Sequence, residues 1–132
     1  MAKRLSRNTF IMDKPPTIRS YAAVVGKKEG NGPLGRHFDQ VYQDPYFGQD
    51  TWEKAESELL RLTVMKALEK GKLRCEDINY MFAGDLINQC TSTSYALREL
   101  EIPLLCVYGA CSTMSESLLM ASLMTDSDIG GN

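Results

Sequence analysis

The residues with the most chemistry in this chain lie in "LLCVYGACSTMSES", Leu104 to Ser117. An apolar run stops at Gly109, Cys111 follows two residues later, and a hydroxyl-rich segment then opens a second apolar pattern. A thiol placed between a strand end and a helix N-terminus feels the positive end of the helix dipole, which favours thiolate over thiol. Gly109 permits a tight turn there because it has no Cβ to clash. The pattern is like a nucleophile elbow, strand–turn–helix with the reactive atom at the apex, although it reads G-x-C-x-T where the hydrolase motif is G-x-S-x-G. On these residues alone three roles stay open for Cys111: nucleophile, ligand-site residue, or small buried hydrophobe closing a strand, since free cysteine is among the most buried residue types.

A second polar segment, "GDLINQC" from Gly84 to Cys90, ends the preceding apolar run. It offers Asp85, Asn88 and Gln89 as groups that converge with Cys111 if both segments leave the same edge of a parallel sheet, where ligands gather. Asp85 and Asn88 are equally suited to satisfying loop backbone or capping the next helix. Lys27, Lys28 and Arg36 flank a glycine-rich stretch, and Lys28 is the candidate cation among them. The single histidine, His37, lies far upstream of Cys111. The four cysteines, Cys75, Cys90, Cys106 and Cys111, contain no C-x-x-C knuckle and sit in a chain unlike short, cysteine-dense secreted frameworks. We therefore expect reduced thiols, no metal and no cofactor.

The elements that must position these groups follow from the pattern. Residues 1–16 are basic and polar, end in Pro15-Pro16, and read as a tail or extended arm. "TIRSYAAVV" (17–25) reads as a strand and "GKKEGNGPLG" (26–35) as an irregular loop. Residues 36–50 read as loop with at most a short helical turn. The clearest helix runs from Asp50 to Gly71, with Asp50 and Glu53 at capping-box spacing and Gly71 at the left-handed C-cap. Ile78–Ala83 reads as a strand, Thr91–Leu100 as a helix stopped before Pro103, Leu104–Tyr108 as a strand buried on both faces, and Thr113 to about Thr125 as a last helix with a core cluster of Leu118, Leu119 and Met120, joined by Leu123 and Met124. Strand, helix, strand, helix with short loops is the pattern of a parallel sheet with right-handed crossovers, so the fold class is α/β.

Composition narrows the function classes. The 132 residues are 43% apolar, enough for one domain with a real core. Fifteen basic and seventeen acidic residues leave a charge of −2, which gives neither a nucleic-acid footprint nor a polybasic membrane patch. The N-terminus lacks the apolar stretch of a signal peptide, and Ile102–Cys111 is about half the length of a membrane span, so the expectation is a soluble, intracellular protein.

The stretches "GPLG" followed by "FD" (33–39), "EDINYMFAGDLINQ" (76–89) and "IPLLCVYGACSTMSES" (102–117), in this order, resemble the stage V sporulation protein AD family of endospore-forming bacteria. That family is similar to the thiolase-like, ketoacyl-synthase-like superfold, whose nucleophilic cysteine sits on the turn opening a buried helix, the place of Cys111. The resemblance implies binding of dipicolinic acid, a pyridine dicarboxylate, with calcium as an open question. It also implies a part in the uptake of that acid into the forespore, alongside membrane-bound sporulation proteins and at the inner forespore membrane, and a homodimer as a family expectation. The thiolase-like fold has two similar halves, and its catalytic histidine and second polar partner come from the second. The chain stops at "DSDIGGN", soon after the cysteine helix, so residues 17–132 are expected to be an incomplete N-terminal half behind the 1–16 arm. The reading is a dipicolinate-binding protein without acyl-transfer chemistry, its ligand contacts at Cys111, Asp85, Asn88, Gln89 and Lys28. The alternatives are an acyl-transfer enzyme with Cys111 as nucleophile, or a scaffold subunit.

Overall fold

The computed structural model describes residues 2–86, 89–127 and 129, and these form an α/β structure. Its longest element is a twenty-residue helix, Trp52–Gly71 (α2; the short Lys27–Gly30 helix precedes it as α1). The helix starts one residue later than the sequence suggests. Thr51 caps it, its hydroxyl accepting from the Lys54 backbone N–H at 3.3 Å, while Asp50 pairs instead with the Lys54 ammonium. The left-handed position at the other end belongs to Lys72 (φ 53°), and Gly71 stays helical. What Gly71 provides is proximity: a Cβ there would lie 3.1 Å from both Ser20 and Leu73. In this crowded corner the Ser20 hydroxyl donates to the Ala67 carbonyl at 2.7 Å.

The strands are short and form three separate pairs. Lys3–Ser6 (β1) and Thr9–Ile11 (β2) make an antiparallel hairpin within the expected N-terminal arm. The hairpin's exit is fastened to the far end of the chain, where buried Asp126 accepts from the Lys14 backbone N–H at 2.7 Å. Val24–Gly26 (β3) and Gln40–Tyr42 (β4) pair in parallel. Only the last residues of the expected 17–25 strand are thus paired, and β4 arises inside a segment read as loop, since three residues are too few to show a period. The connection between them, read as irregular, contains α1 and a 3-10 turn at Gly35–His37. Its glycines allow the chain to fold on itself: a Cβ on Gly35 would sit 1.9 Å from the Gly30 carbonyl oxygen.

Met81–Ala83 (β5) and Leu104–Cys106 (β6) form the second parallel pair, in the register Met81↔Leu104 to Ala83↔Cys106. Thr91–Leu97 (α3), extended by a 3-10 turn at Arg98–Leu100, crosses between them, and Thr113–Asp126 (α4) follows β6. The expected alternation of strand and helix over 78–126 therefore holds, with parallel strands. The burial does not follow. Leu105 of β6 is 41% exposed and Tyr108 49%, so this strand is not covered on both faces. On α4, Leu118, Leu119 and Met120 are exposed, overturning their assignment to the core, while Leu123 and Met124 are half-buried. The reason is geometric: α4 lies on β5 along one side, whereas its apolar residues run round the whole helix.

The core sits elsewhere, mainly where α2 and α3 pack together. Ala55 and Leu68 of α2 and Ala96 and Leu97 of α3 are buried, with Val24 and Ile102 alongside. The Ser57 hydroxyl ties the two helices by donating to the Ser92 carbonyl at 2.9 Å. Among the described residues no helix is long and apolar enough to cross a membrane.

Candidate functional site

Because β5 and β6 are parallel, the segments leaving their carboxyl ends emerge at one edge. Their backbones meet at Gly84. A Cβ there would come within 2.0 Å of the Val107 carbonyl oxygen and 2.7 Å of the Thr113 methyl, so only glycine lets the two turns close on each other. The Cys90 thiol spans the same gap, donating to the Val107 carbonyl at 3.4 Å. The 84–90 segment and the turn that carries Cys111 are thus side by side.

The turn itself is built by local hydrogen bonds. After β6 the chain passes Gly109, places Ala110 in the left-handed region (φ 49°), and makes a 3-10 turn, Ala110–Ser112, that runs into α4. Positive φ at a residue with a Cβ is strained backbone, and it lies immediately before the thiol. Cys111 is exposed. The Ser112 hydroxyl donates to the Gly109 carbonyl at 2.7 Å, and the Thr113 hydroxyl accepts from the Gly109 N–H at 3.2 Å. Thr113 and Glu116 stand at capping-box spacing, but Glu116 reaches back to the Ser112 hydroxyl instead. Glu116 also passes close over Gly109, where a Cβ would lie 1.8 Å from its carboxylate oxygen. A negative charge in the first turn of α4 complements the helix dipole.

The other candidate residues separate by position. Asp85 is 6% exposed and turns both carboxylate oxygens into α3: Oδ1 accepts from the Cys90 N–H at 3.0 Å, Oδ2 from the Thr93 N–H and hydroxyl, each at 2.9 Å. It holds the N-terminus of α3 across a backbone that is left-handed at both Gln89 (φ 49°) and Cys90 (φ 72°). Gln89 is exposed on that loop. Asn88 lies outside the described residues. Lys28 lines a cleft with Gly26, Asn31, Pro45, Phe47 and Leu59, to which no residue of the β5–β6 edge contributes. His37 stands in the 3-10 turn before β4, its Nε2 accepting from Arg36 Nε at 3.2 Å. The four thiols are free, and no cluster of metal-ligating side chains occurs among the described residues.

Two features here escaped the sequence reading. One is the place of Glu116 at the mouth of the Cys111 turn, since its capping-box spacing from Thr113 marks a helix start and not a site. The other is the second thiol, Cys90. Burial pushes it above the usual thiol range, and the neighbouring Cys106 and the Asp85 carboxylate push it further.

A family model of stage V sporulation protein AD matches residues 6–132. The chain belongs to that family. It is 40% identical, over 124 residues, to the stage V sporulation protein AD of Bacillus subtilis (strain 168), an alignment covering 94% of this chain and 37% of that relative. The chain therefore spans less than two fifths of the length of the relative it matches. Membership places the chain in sporulation. The match includes both segments of the edge, the 84–90 loop and the Cys111 turn.

Proposed function

We propose that the edge formed by the 84–90 loop and the Cys111 turn binds dipicolinic acid, and that the chain serves the uptake of this acid into the forespore together with membrane-bound partners. The observation that carries the reading is the joining of these two strand-to-helix segments at Gly84, Val107 and Thr113, which leaves Cys111 and Gln89 exposed on adjacent turns. Family membership supports it. The α/β topology of 78–126, a parallel pair with a cysteine on the turn after its second strand, suits the first half of a thiolase-like domain.

In this reading the Cys111 thiol and the Gln89 amide line the ligand, while Asp85 acts through α3 and fixes the loop. A planar dianion is drawn to the N-terminal end of α4 by the same partial charge that now favours Glu116. Glu116 occupies the anion position in the free protein, and its carboxylate must turn outward, or share a divalent cation, when the ligand enters. Calorimetry with dipicolinate on the whole protein, with and without calcium, tests this. Cys111→Ala weakens binding by about fivefold, the equivalent of about 1 kcal/mol of lost packing, and Cys111→Ser weakens it less. Unchanged affinity in Cys111→Ala removes the site.

Acyl transfer by Cys111 is the second reading, favoured by one observation: the exposed thiol follows a strained residue on a strand-to-helix turn. That chemistry needs a base to activate the thiol. The groups hydrogen-bonded around the turn are hydroxyls and a carboxylate, and His37 belongs to another part of the fold. Mass spectrometry after incubation with an acyl thioester decides between them: an adduct on Cys111 that passes to an acceptor establishes the enzyme.

A further inference from the structure

Behind the Cys111 turn lies a second pair of sulfurs. Cys106 ends β6 and Cys90 precedes α3. Ser94 stands between them, its hydroxyl donating to the Cys90 carbonyl at 2.7 Å and lying 3.8 Å from the Cys106 sulfur. The Cys90 sulfur is directed at the carbonyl of Val107, the residue following Cys106. The nearby Cys106 sulfur also helps raise the Cys90 thiol above its usual range, after burial. Cys106 is exposed and Cys90 half-buried, so a small reagent has a way in.

We propose that Cys90 and Cys106 form a dithiol modification site, closed to an intramolecular disulfide by a low-molecular-weight disulfide. Exposed Cys106 reacts first. Its thiolate attacks the reagent's S–S bond, forming a mixed disulfide and expelling one small thiolate. The Cys90 thiol then loses its proton to solvent and attacks the Cys106 sulfur, so the second small thiol leaves. The protein loses two hydrogens and two electrons, and the reagent is reduced to two thiols. Cys90 is the resolving partner because its thiol is the more protected and is raised by burial, which disfavours direct attack by it. Closure exchanges the Cys90–Val107 hydrogen bond for a covalent tie between the start of α3 and the end of β6. The 84–90 loop is thereby fixed against the strand that leads to Cys111. This inference does not depend on the ligand proposed for that turn.

The test is thiol mapping of the native chain after exposure to glutathione disulfide, with alkylation under denaturing conditions and peptide mass spectrometry. The expected product is a Cys90–Cys106 linked peptide, with Cys75 and Cys111 free or carrying glutathione singly. The C75S/C111S variant retains the link. In Cys90→Ser the mixed disulfide persists on Cys106, because its resolving partner is gone. The same treatment in denaturant scatters the pairing, showing that the fold directs it. Failure of the native chain to form the Cys90–Cys106 link, or equal linking in denaturant, overturns the proposal.

Discussion

The two helices that follow the strands of the β5–β6 pair invert what their compositions suggest. α3 is seven residues long and rich in hydroxyls, yet Ser92 and Thr93 are fully buried and Ala96 and Leu97 nearly so. α4 is fourteen residues long and half apolar, yet Met114 is 70% exposed and Leu118 51%. The difference lies in what each helix leans on. α3 packs against α2, and Asp85 accepts from the Cys90 and Thr93 donors at its N-terminus. α4 touches β5 on one side, and at its start the Ser112 hydroxyl and the Glu116 carboxylate bond each other rather than the helix backbone. Burial is decided by the neighbouring element rather than by apolar content. In this molecule that makes α3 the anchor and α4 the helix whose surface and N-terminus remain accessible.

The largest effect should come from breaking the anchor. Leu97 is 2% exposed, and Leu97→Ala is expected to cost about 3 kcal/mol in a denaturant titration through lost contacts and a cavity. Leu119→Ala on α4, at 42% exposure, should cost under about 1 kcal/mol. Equal losses in the two would erase the contrast.

Next comes the cap. Asp85→Ala strands the Cys90 N–H and both Thr93 donors, and is expected to cost about 2–3 kcal/mol. Asp85→Asn keeps the acceptor oxygen on one branch and should lose roughly half as much. Hydrogen exchange at Cys90 and Thr93 would localise the loss to α3. Protection that falls in α4 instead would show that the helices are not independent.

A third, smaller effect is acid release of the N-terminal hairpin. The Asp126 carboxyl is held below its usual range, chiefly by the Lys14 backbone N–H, against the opposing effect of burial. A carboxyl lowered in the folded state stabilises it above the unfolded value near 3.8, and that contribution disappears as pH falls through the lowered value. Protection of the Lys14 amide, its exchange relative to an unstructured amide at the same pH, should therefore fall on acidification below about pH 4, and Asp126→Asn should weaken this pH dependence. An unchanged profile in Asp126→Asn would mean another group fastens the hairpin.

The exposed face of α4 gives the smallest change in stability. Leu118→Lys should alter the unfolding free energy by less than about 0.5 kcal/mol. It should nevertheless reduce self-association measured by sedimentation, because exposed apolar patches favour contact between molecules.

How much of this could be read in the residues varies with the range of the forces. The α2 helix, both β5–β6 strands, their parallel direction and the two helices after them were legible, because periodicity, Pro103 and the glycines act locally. The meeting of the 84–90 segment with the Cys111 turn followed from topology alone. The burial of α4 was not legible: Leu118, Leu119 and Met120 have a core pattern, and only the placement of neighbours decides whether anything covers them. Lys28 was grouped with Cys111 on charge, but the β3–β4 pair carries it to another cleft. Asp85 shows the same limit in reverse. Its type and position fit a ligand contact and a helix cap equally, and the hydrogen bonds to Cys90 and Thr93 assign it to the cap.

The accessible N-terminus of α4 is the centre of the functional account, and Glu116 is the residue that probes it. The direct measurement is a calorimetric titration of dipicolinate into the whole protein and into its Glu116→Gln variant at low ionic strength, with divalent cations removed by a chelator. Removing the carboxylate that occupies the anion position should tighten binding by about fivefold, equivalent to about 1 kcal/mol of relieved like-charge repulsion. Affinity that is unchanged or weaker in Glu116→Gln, with the variant folded, would contradict dianion binding at this turn.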